Sequence, residues 1–186
     1  MRDPVKTNRV TPNELDKIDQ LMIEAFPEAE RSLAIELFQM TDKDECVDFS
    51  AHYVADEFCG FSFVINKFGF TFIYYIAVAE KWRGRGIGTE ILEQIRNRPS
   101  GIFILNVESL ETECDNYAQR KRRLDFYMRF GIGLTGFRLV HDGVEYDILA
   151  SSPLTLSDIS DYKKLLSSIS EEYDKDKIYE YSESIV

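Results

Sequence analysis

The chain has 186 residues, of which 44% are hydrophobic and 30% are charged, and its formal net charge at pH 7 is −11. This length and composition fit one globular domain with its own core, and no run approaches the roughly 20 apolar residues of a membrane-spanning helix. The acidic charge argues against nonspecific binding to nucleic acid, which depends on Lys and Arg. It is compatible with a cationic partner such as an amine.

Residues 1–4 show no apolar signal region, so a cytoplasmic location is expected. Cys46, Cys59 and Cys114 are odd in number and lack the spacing of metal ligands. The sequence therefore predicts neither a disulfide framework nor a zinc site, and no metal cofactor is expected.

Helices are predicted first and strands after them. Thr11-Pro12-Asn13-Glu14 has the features of a helix start, and apolar residues then recur at helical spacing until Pro27. A second helix, with Leu33 on its apolar side, is predicted over residues 30–40. Strand-like segments separated by polar turns follow, which indicates an antiparallel meander. These segments are residues 49–55, 61–65 and 70–78.

Beyond residue 78 the predicted helices and strands alternate. The predicted elements are a helix over 86–96, a strand over 102–107, a helix over 113–130 and a hairpin of strands 137–141 and 144–149 around Asp142-Gly143. A meander, a crossover and a hairpin together predict an α/β fold with a mixed, twisted sheet flanked by helices.

The composition changes after residue 153. We predict one domain over residues 1–153 and an acidic segment over residues 154–186. Apolar residues at helical spacing around Tyr162 predict a helix that docks on the domain, followed by a poorly ordered tail. The alternative is that this segment binds a partner protein.

A glycine-rich loop connects the strand at 70–78 to the helix that follows it. Backbone N–H groups at a helix start have no partner within the helix, and the helix dipole favours anions there, so this junction predicts a phosphate-binding site. A P-loop fits this segment poorly, because Gly84 and Gly88 are too close and no Lys precedes Thr89. A Rossmann loop would need Gly where Thr89 stands.

Arg83-x-x-Gly86-x-Gly88 resembles the acetyl-CoA signature of the GNAT N-acetyltransferase superfamily, R/Q-x-x-G-x-G/A. A strand at 102–108 and a second motif, Phe126-Tyr127-x-x-x-Gly131, follow in the family's order, and the resemblance covers roughly residues 49–149. It implies a mostly antiparallel sheet in which a central parallel pair, 70–78 and 102–107, splays apart. It also implies acetyl-CoA as cosubstrate and acetyl transfer to a primary amine by direct attack in a ternary complex.

The predicted cofactor site is built largely from backbone. The N–H groups of residues 85–89 can reach the pyrophosphate, Arg83 and Arg85 can add charge-assisted contacts, and strand residues 76–78 can pair with the pantetheine amides. The predicted cofactor-binding residues are Ile76, Ala77, Val78, Arg83, Gly84, Arg85, Gly86, Ile87, Gly88, Thr89 and Phe126.

Two side chains are predicted to be catalytic. The resemblance implies that Tyr127 lies beside the thioester sulfur, where its phenol can donate a proton to the leaving thiolate. Glu108, at the end of a strand, is the leading candidate for the base that deprotonates the amine, and Glu80 is a weaker one. The alternative for Glu108 is a solvated carboxylate without a catalytic role.

The chain departs from the family's pattern at two positions. Many relatives carry N-x-x-A-x-x-F-Y, whereas this chain has Arg120 and Arg123 in place of the Asn and Ala. The basic run 120–123 could meet the 3′-phosphate of coenzyme A or pair with acidic residues. The departure leaves open a catalytically weak or inactive CoA-binding regulatory module of the same fold. The acceptor is predicted only as a small-molecule or peptide amine, and a homodimer is left open.

Overall fold

The computed structural model describes residues 3–98, 101–110 and 116–181. The chain divides into two compact units, of which the first contains Met1–Asn66 and Ile73–Ser100 and the second contains Lys67–Phe72 and Gly101–Val186. Within the described part of the chain, no helix is long and apolar enough to cross a membrane. This division does not test the predicted domain boundary after residue 153, which stays a prediction.

The described residues of the first unit form four strands and three α-helices. They are β1 (Lys6–Arg9), α1 (Leu15–Ala25), α2 (Ala34–Lys43), β2 (Val47–Val54), β3 (Glu57–Lys67), β4 (Phe70–Val78, which begins in the second unit) and α3 (Ile87–Arg96). The strand order is β1-β2-β3-β4. β1 was not predicted, because Lys6-Thr7-Asn8-Arg9 carries no apolar residue; it joins the sheet as an antiparallel partner of β2.

The helix starts agree only in part with the sequence. Thr11 and Glu14 form the predicted capping box before α1, and the Thr11 N–H donates to Glu14 Oε2 at 2.8 Å. α2 begins later than predicted, because Glu28–Glu30 forms a separate 3-10 turn and Arg31 is extended. The prediction that Leu33 packs on the apolar side of the helix is wrong, since Leu33 precedes α2 and is 58% exposed.

Aromatic side chains of β2 and β3 form part of the first unit's core. The ring of the buried Phe49 lies 6.2 Å from Phe61 and 5.4 Å from Phe63, in edge-on contacts. Two polar side chains of α3 hold the N-terminal segment: Glu90 Oε1 accepts from the Val5 N–H at 2.6 Å, and Gln94 Nε2 donates to Val5 O at 2.8 Å. These contacts fix α3, whose start carries the glycine loop.

The second unit contains the first residues of β4 and all later elements. These are β5 (Ile102–Glu108), α4 (Tyr117–Arg129), β6 (Gly133–His141), β7 (Val144–Ala150), α5 (Leu156–Ser167) and β8 (Lys177–Glu180). The strand order is β4-β5-β7-β6-β8. The β4–β5 ladder is parallel and covers three residue pairs, from Phe70–Ile102 to Phe72–Ile104, whereas the ladders formed by β6, β7 and β8 are antiparallel. The predicted fold class, a mostly antiparallel sheet with one parallel pair and flanking helices, is confirmed.

Gly101 and Gly143 of the second unit illustrate two different uses of glycine. A Cβ on Gly101 would lie 1.7 Å from Gly69 O, so only glycine allows this close approach at the start of β5. In the β6–β7 turn, Asp142 and Gly143 have φ values of 48° and 79°. Two consecutive positive φ angles are typical of the predicted two-residue hairpin turn.

The C-terminal segment is more ordered than predicted. In its helix α5, the fully buried Tyr162 ring lies 5.8 Å from Phe70 and 5.5 Å from Phe72, and its hydroxyl donates to Asn106 Oδ1 at 3.0 Å. The predicted poorly ordered tail is wrong for residues 171–181, which form a 3-10 turn and β8. Pairing of β8 with β6 supplies the order; residues 182–186 lie outside the described part of the chain.

Candidate functional site

In the first unit, the glycine loop leads from β4 into the start of α3. Two of its three glycines have a backbone conformation that favours glycine. Gly84 and Gly86 have φ values of 72° and 78°, a left-handed conformation that side chains with a Cβ adopt only with strain. Gly88 lies inside α3, so helical geometry does not demand glycine there. Among the described residues, nothing lies within 4 Å of a Cβ built on Gly84.

The start of α3 presents backbone donors. The helix's first hydrogen bond runs from the Glu90 N–H to Gly86 O at 3.1 Å, so the N–H groups of residues 87–89 precede the helical ladder. They lie at the positive end of the helix dipole. This arrangement fits a pyrophosphate, because several N–H groups and a partial positive charge converge on one end of a helix.

The Arg83 side chain makes two polar contacts within the protein. Its Nε donates to Val78 O at 2.8 Å, and its Nη2 contacts Glu24 Oε1 at 2.7 Å. The same Glu24 oxygen accepts the Glu80 N–H at 3.0 Å. A direct contact between Arg83 and a phosphate therefore stays a prediction, and the sequence did not single out Glu24.

The other basic side chains of this segment lie around Trp82. The Arg85 guanidinium lies 5.3 Å and the Lys81 ammonium 5.9 Å from the Trp82 ring centroid. Both distances are in the range of cation–π contacts. Arg85 therefore lies on an aromatic surface beside the loop.

The last residues of β4 present their backbone groups in alternation. A Cβ on Gly60 would lie 2.3 Å from Ala77 O, and the Ala79 N–H donates to Cys59 O at 3.0 Å, so Ala77 and Ala79 face β3. Backbone groups of successive strand residues point to opposite edges, which places those of Ile76 and Val78 on the other edge. Of the three residues predicted to pair with pantetheine, Ile76 and Val78 have the orientation that such pairing needs.

In the second unit, α4 buries Tyr127 and ends at the glycine of the second motif. The Gly131 N–H donates to Met128 O and the Ile132 N–H to Tyr127 O, both at 3.0 Å, and Gly131 has a φ of 84°. This is a Schellman cap. The glycine of F-Y-x-x-x-G therefore ends the helix that carries Tyr127.

Tyr127 keeps its phenolic proton at neutral pH. Its side chain is 7% exposed, and burial raises its pKa to about 12, while the Arg123 guanidinium opposes the shift. The half-buried Phe126 ring lies 5.2 Å from the Tyr127 ring and packs beside it. The phenol is thus a hydrogen-bond donor, as the predicted role requires.

Glu108 ends β5 and is 7% exposed, so the alternative of a solvated carboxylate is wrong. Arg120 Nη2 donates to its Oε1 at 2.7 Å, and Arg123 Nη1 lies 4.0 Å from its Oε2. Arg120 Nη1 also donates to Ser109 O at 3.1 Å. The two arginines that replace the family's Asn and Ala thus contact the predicted base, a pairing that the sequence left as one of two options.

Unpartnered polar atoms are concentrated around this ion pair. In the described ranges, four buried side-chain atoms lack a hydrogen-bond partner: Glu108 Oε2, Asn116 Oδ1, Arg120 Nε and Trp82 Nε1. Three of them belong to the end of β5 and the start of α4. Because buried polar groups are nearly always paired, this is a place for an ordered water or a polar ligand group.

Glu80, the weaker candidate base, and the two histidines all have structural contacts. Glu80 is exposed and gives its N–H to Glu24. Burial lowers the pKa of His52 to about 3, and its two ring nitrogens contact the hydroxyls of Thr7 and Ser62 at 2.8 and 3.0 Å. His141 contacts Asp176 at 2.9 Å. Within the described residues, no group of three or more His, Cys, Asp or Glu side chains could hold a metal ion.

Comparison with known proteins agrees with these features. The family model of the acetyltransferase (GNAT) domain matches residues 48–131, which include the glycine loop, Glu108 and Tyr127. A search of curated proteins finds no significant match.

Solved structures with the same fold include a GNAT-family protein from Bacteroides thetaiotaomicron, with a TM-score of 0.64, 20% identity and coverage of 88% of this chain and 95% of that one. An aminoglycoside 6′-N-acetyltransferase complexed with coenzyme A has a TM-score of 0.60 and 18% identity over 81% of this chain and 99% of that one. Naa50 of Arabidopsis thaliana, in complex with the bisubstrate analogue CoA-Ac-MVNAL, has a TM-score of 0.58 and 19% identity over 80% and 98%. Residues 48–131 thus match the GNAT acetyltransferase domain model, and the chain shares its fold with solved structures of that family.

Proposed function

We propose that the protein is an acetyl-CoA-dependent N-acetyltransferase that moves an acetyl group to a primary amine by direct attack in a ternary complex. The observation that carries the proposal is the glycine loop. Its left-handed Gly84 and Gly86 lead into the start of α3 inside the matched GNAT domain. The coenzyme A ligands of two structural neighbours support it.

The loop binds the cofactor's pyrophosphate through backbone N–H groups. Those of residues 87–89 donate to the phosphate oxygens, the α3 dipole favours the negative charge, and Arg85 adds a charged contact. The backbone of Ile76 and the N–H of Val78, whose carbonyl accepts from Arg83 Nε, pair with the pantetheine amides in the manner of an added strand. In this proposal, acetyl-CoA supplies the activated acyl group and this unit holds it.

Tyr127 stabilises the leaving thiolate by a hydrogen bond. An ordinary thiol has a pKa near 8.5, so complete proton transfer from a phenol whose pKa is about 12 would be uphill by about 5 kcal/mol. A hydrogen bond from the phenol to the developing negative charge does not carry this cost. Tyr127 therefore assists the reaction without becoming a phenolate.

Glu108 is the proposed base. A lysine-like amine with a pKa near 10.4 must lose a proton, which costs about 4–5 kcal/mol at pH 7, and a positioned carboxylate, directly or through a water, recovers part of this cost. Arg120 occupies Oε1 of Glu108 and Oε2 has no hydrogen-bond partner among the described residues. Oε2 is thus the proposed proton acceptor.

The second candidate function is a CoA-binding regulatory module. The contacts of Arg120 and Arg123 with Glu108 favour it, since they engage the leading candidate for the base. Small amines, aminoglycosides and peptide N-termini all stay proposals for the acceptor. The cytoplasmic location and the homodimer also stay predictions.

Calorimetric titration with acetyl-CoA, followed by thiol release across a panel of amines, tests the proposal. We expect binding, and turnover on at least one amine. Tyr127→Phe should lower kcat about 10–100-fold without changing the affinity for acetyl-CoA, because it removes one hydrogen bond in the transition state. Tyr117→Phe, on the exposed start of the same helix, is the matched control. Absence of binding at millimolar acetyl-CoA would reject both functions, and binding without turnover would favour the regulatory module.

A further inference from the structure

We infer that Glu24 is a positioning residue for cofactor binding: through Arg83, its carboxylate holds the glycine loop in the conformation that presents the α3 donors. The inference rests on the proposed function, because it concerns the same phosphate site. Glu24 lies in α1, 59 residues from Arg83 in sequence, outside the resemblance motif and outside the range matched by the family model.

One oxygen of Glu24 joins both ends of a short turn. Oε1 accepts the N–H of Glu80 at 3.0 Å and contacts Arg83 Nη2 at 2.7 Å. Glu80 and Arg83 are the first residue and the C-cap of the 3-10 turn Glu80–Trp82. The carboxylate therefore binds this turn at its start and at its end.

Arg83 then connects the turn to β4. Its Nε donates to Val78 O at 2.8 Å, so one guanidinium bridges the end of the strand and the carboxylate of α1. The segment between Val78 and Gly84 is held by these three contacts and by two backbone hydrogen bonds, from Trp82 N to Ala79 O and from Arg83 N to Glu80 O. The hydrogen bond from the Ala79 N–H to Cys59 O and the ion pair of Lys81 with Glu57 also tie it to β3.

The loop needs an anchor on this side because of its glycines. Gly84 and Gly86 lose more conformational freedom on ordering than other residues do. On the downstream side the buried Ile87 and the hydrogen bonds of α3 fix the chain; on the upstream side Arg83 is the last residue before Gly84. A loop that is ordered before the ligand arrives binds more tightly, since less entropy is lost on binding.

The rival interpretation is that Arg83 binds phosphate directly and that Glu24 competes for it. The two interpretations predict opposite signs for Glu24→Gln, which removes the negative charge at nearly constant shape. If Glu24 competes, coenzyme A binds more tightly to the variant. Removal of an acidic charge near an anionic ligand also favours tighter binding, so weaker binding contradicts the competition interpretation.

The test measures coenzyme A affinity by calorimetry for the full chain and its Glu24→Gln, Arg83→Met and double variants. Asp16→Asn, an exposed acid of the same helix, is the charge-matched control. We expect Glu24→Gln to weaken coenzyme A binding about fivefold, the upper range for an exposed ion pair, and Asp16→Asn to leave it unchanged. The double variant should bind coenzyme A no more weakly than Arg83→Met does, because both substitutions break the same Glu24–Arg83 contact.

A second readout separates positioning from general damage. S-acetylpantetheine carries the thioester but neither the pyrophosphate nor the nucleotide, so its kcat/KM should change less than twofold in Glu24→Gln, while kcat/KM for acetyl-CoA falls. Three results would each overturn the inference about Glu24 while leaving the proposed function intact. They are unchanged or tighter coenzyme A binding in Glu24→Gln, an equal loss of kcat/KM with both thioesters, and additive effects in the double variant. Failure of the unmodified chain to bind coenzyme A would reject the proposed function as well.

Discussion

The two units supply chemically different groups to the proposed reaction and hold them in different ways. The first supplies backbone donors at the start of α3, and the contacts that shape its loop are exposed: the side chains of Arg83 and Glu24 are 44% and 39% accessible. The second supplies side chains, and both Glu108 and Tyr127 are buried. A backbone donor is removed only by a substitution to proline and is otherwise displaced, whereas a buried side chain can be removed at the cost of leaving its partner unpaired.

The two units also differ in the kind of polar side chain that they bury. The first unit buries a neutral imidazole, His52, between the hydroxyls of Thr7 and Ser62. The second unit buries ion pairs, Glu108 with Arg120 and Arg138 with Asp147, whose Nε–Oδ1 distance is 2.9 Å. The first arrangement is sensitive to pH, and the second is sensitive to the loss of one partner.

The largest expected effect is on the ion pair of the second unit. Arg120→Met leaves Glu108 buried without its closest cation, and such a loss typically costs 3–5 kcal/mol. We expect a loss near the lower end, about 3 kcal/mol in the free energy of unfolding, since Arg123 at 4.0 Å retains part of the attraction. Urea denaturation measures it.

Two further variants sharpen this prediction. The double variant Arg120→Met with Glu108→Gln should recover most of the loss, because no uncompensated charge remains. Arg122→Met, at an exposed position of the same helix, should change stability by less than about 0.5 kcal/mol. A loss below about 1 kcal/mol for Arg120→Met would show that the pair is not buried as described.

The next effect concerns His52 in the first unit. Its folded pKa of about 3 is below the value near 6.5 of an unfolded histidine, so between these pH values the unfolded chain binds a proton that the folded chain does not. Stability is therefore lost as pH falls below about 6.5, by about 2–3 kcal/mol at pH 4.5 from this group. Denaturation curves at pH 7.0, 5.5 and 4.5 measure the slope.

The control is His52→Gln, which cannot take up this proton. It should be less stable at pH 7, because the imidazole packing is lost, and its stability should fall less steeply toward pH 4.5. Parallel pH slopes for the two proteins would contradict the assignment of a neutral, buried His52.

The smallest effect compares two glycines of nearly equal backbone conformation. Gly86→Ala and Gly143→Ala, with φ of 78° and 79°, should each cost about 1–2 kcal/mol of stability through left-handed strain. Only Gly86→Ala should also weaken coenzyme A binding, because it displaces the first donors of α3. Calorimetry and denaturation of both variants measure this, and equal loss of affinity in the two would argue against the loop as the phosphate site.

The features that could be predicted from the sequence are those that depend on residues adjacent in the chain. The Thr11–Glu14 cap, the Asp142-Gly143 turn and the two glycine motifs are all readable because a few adjacent residues specify each backbone conformation. The apolar runs of β4 and β5 are equally readable, since a buried strand needs continuous hydrophobic side chains. These signals sufficed for the fold class and for the position of the loop.

The tertiary structure decided what depends on residues far apart in the chain. β1 and β8 are short and largely polar, and they are strands because β2 and β6 supply hydrogen-bond partners. The ion pair of Glu108 with Arg120, and the contact of Glu24 with Arg83 across 59 residues, leave no periodic signal in the sequence. Charged side chains pair with whichever partner the folded backbone brings near. The motifs therefore indicated which groups the domain offers, and only the fold revealed what holds them in place.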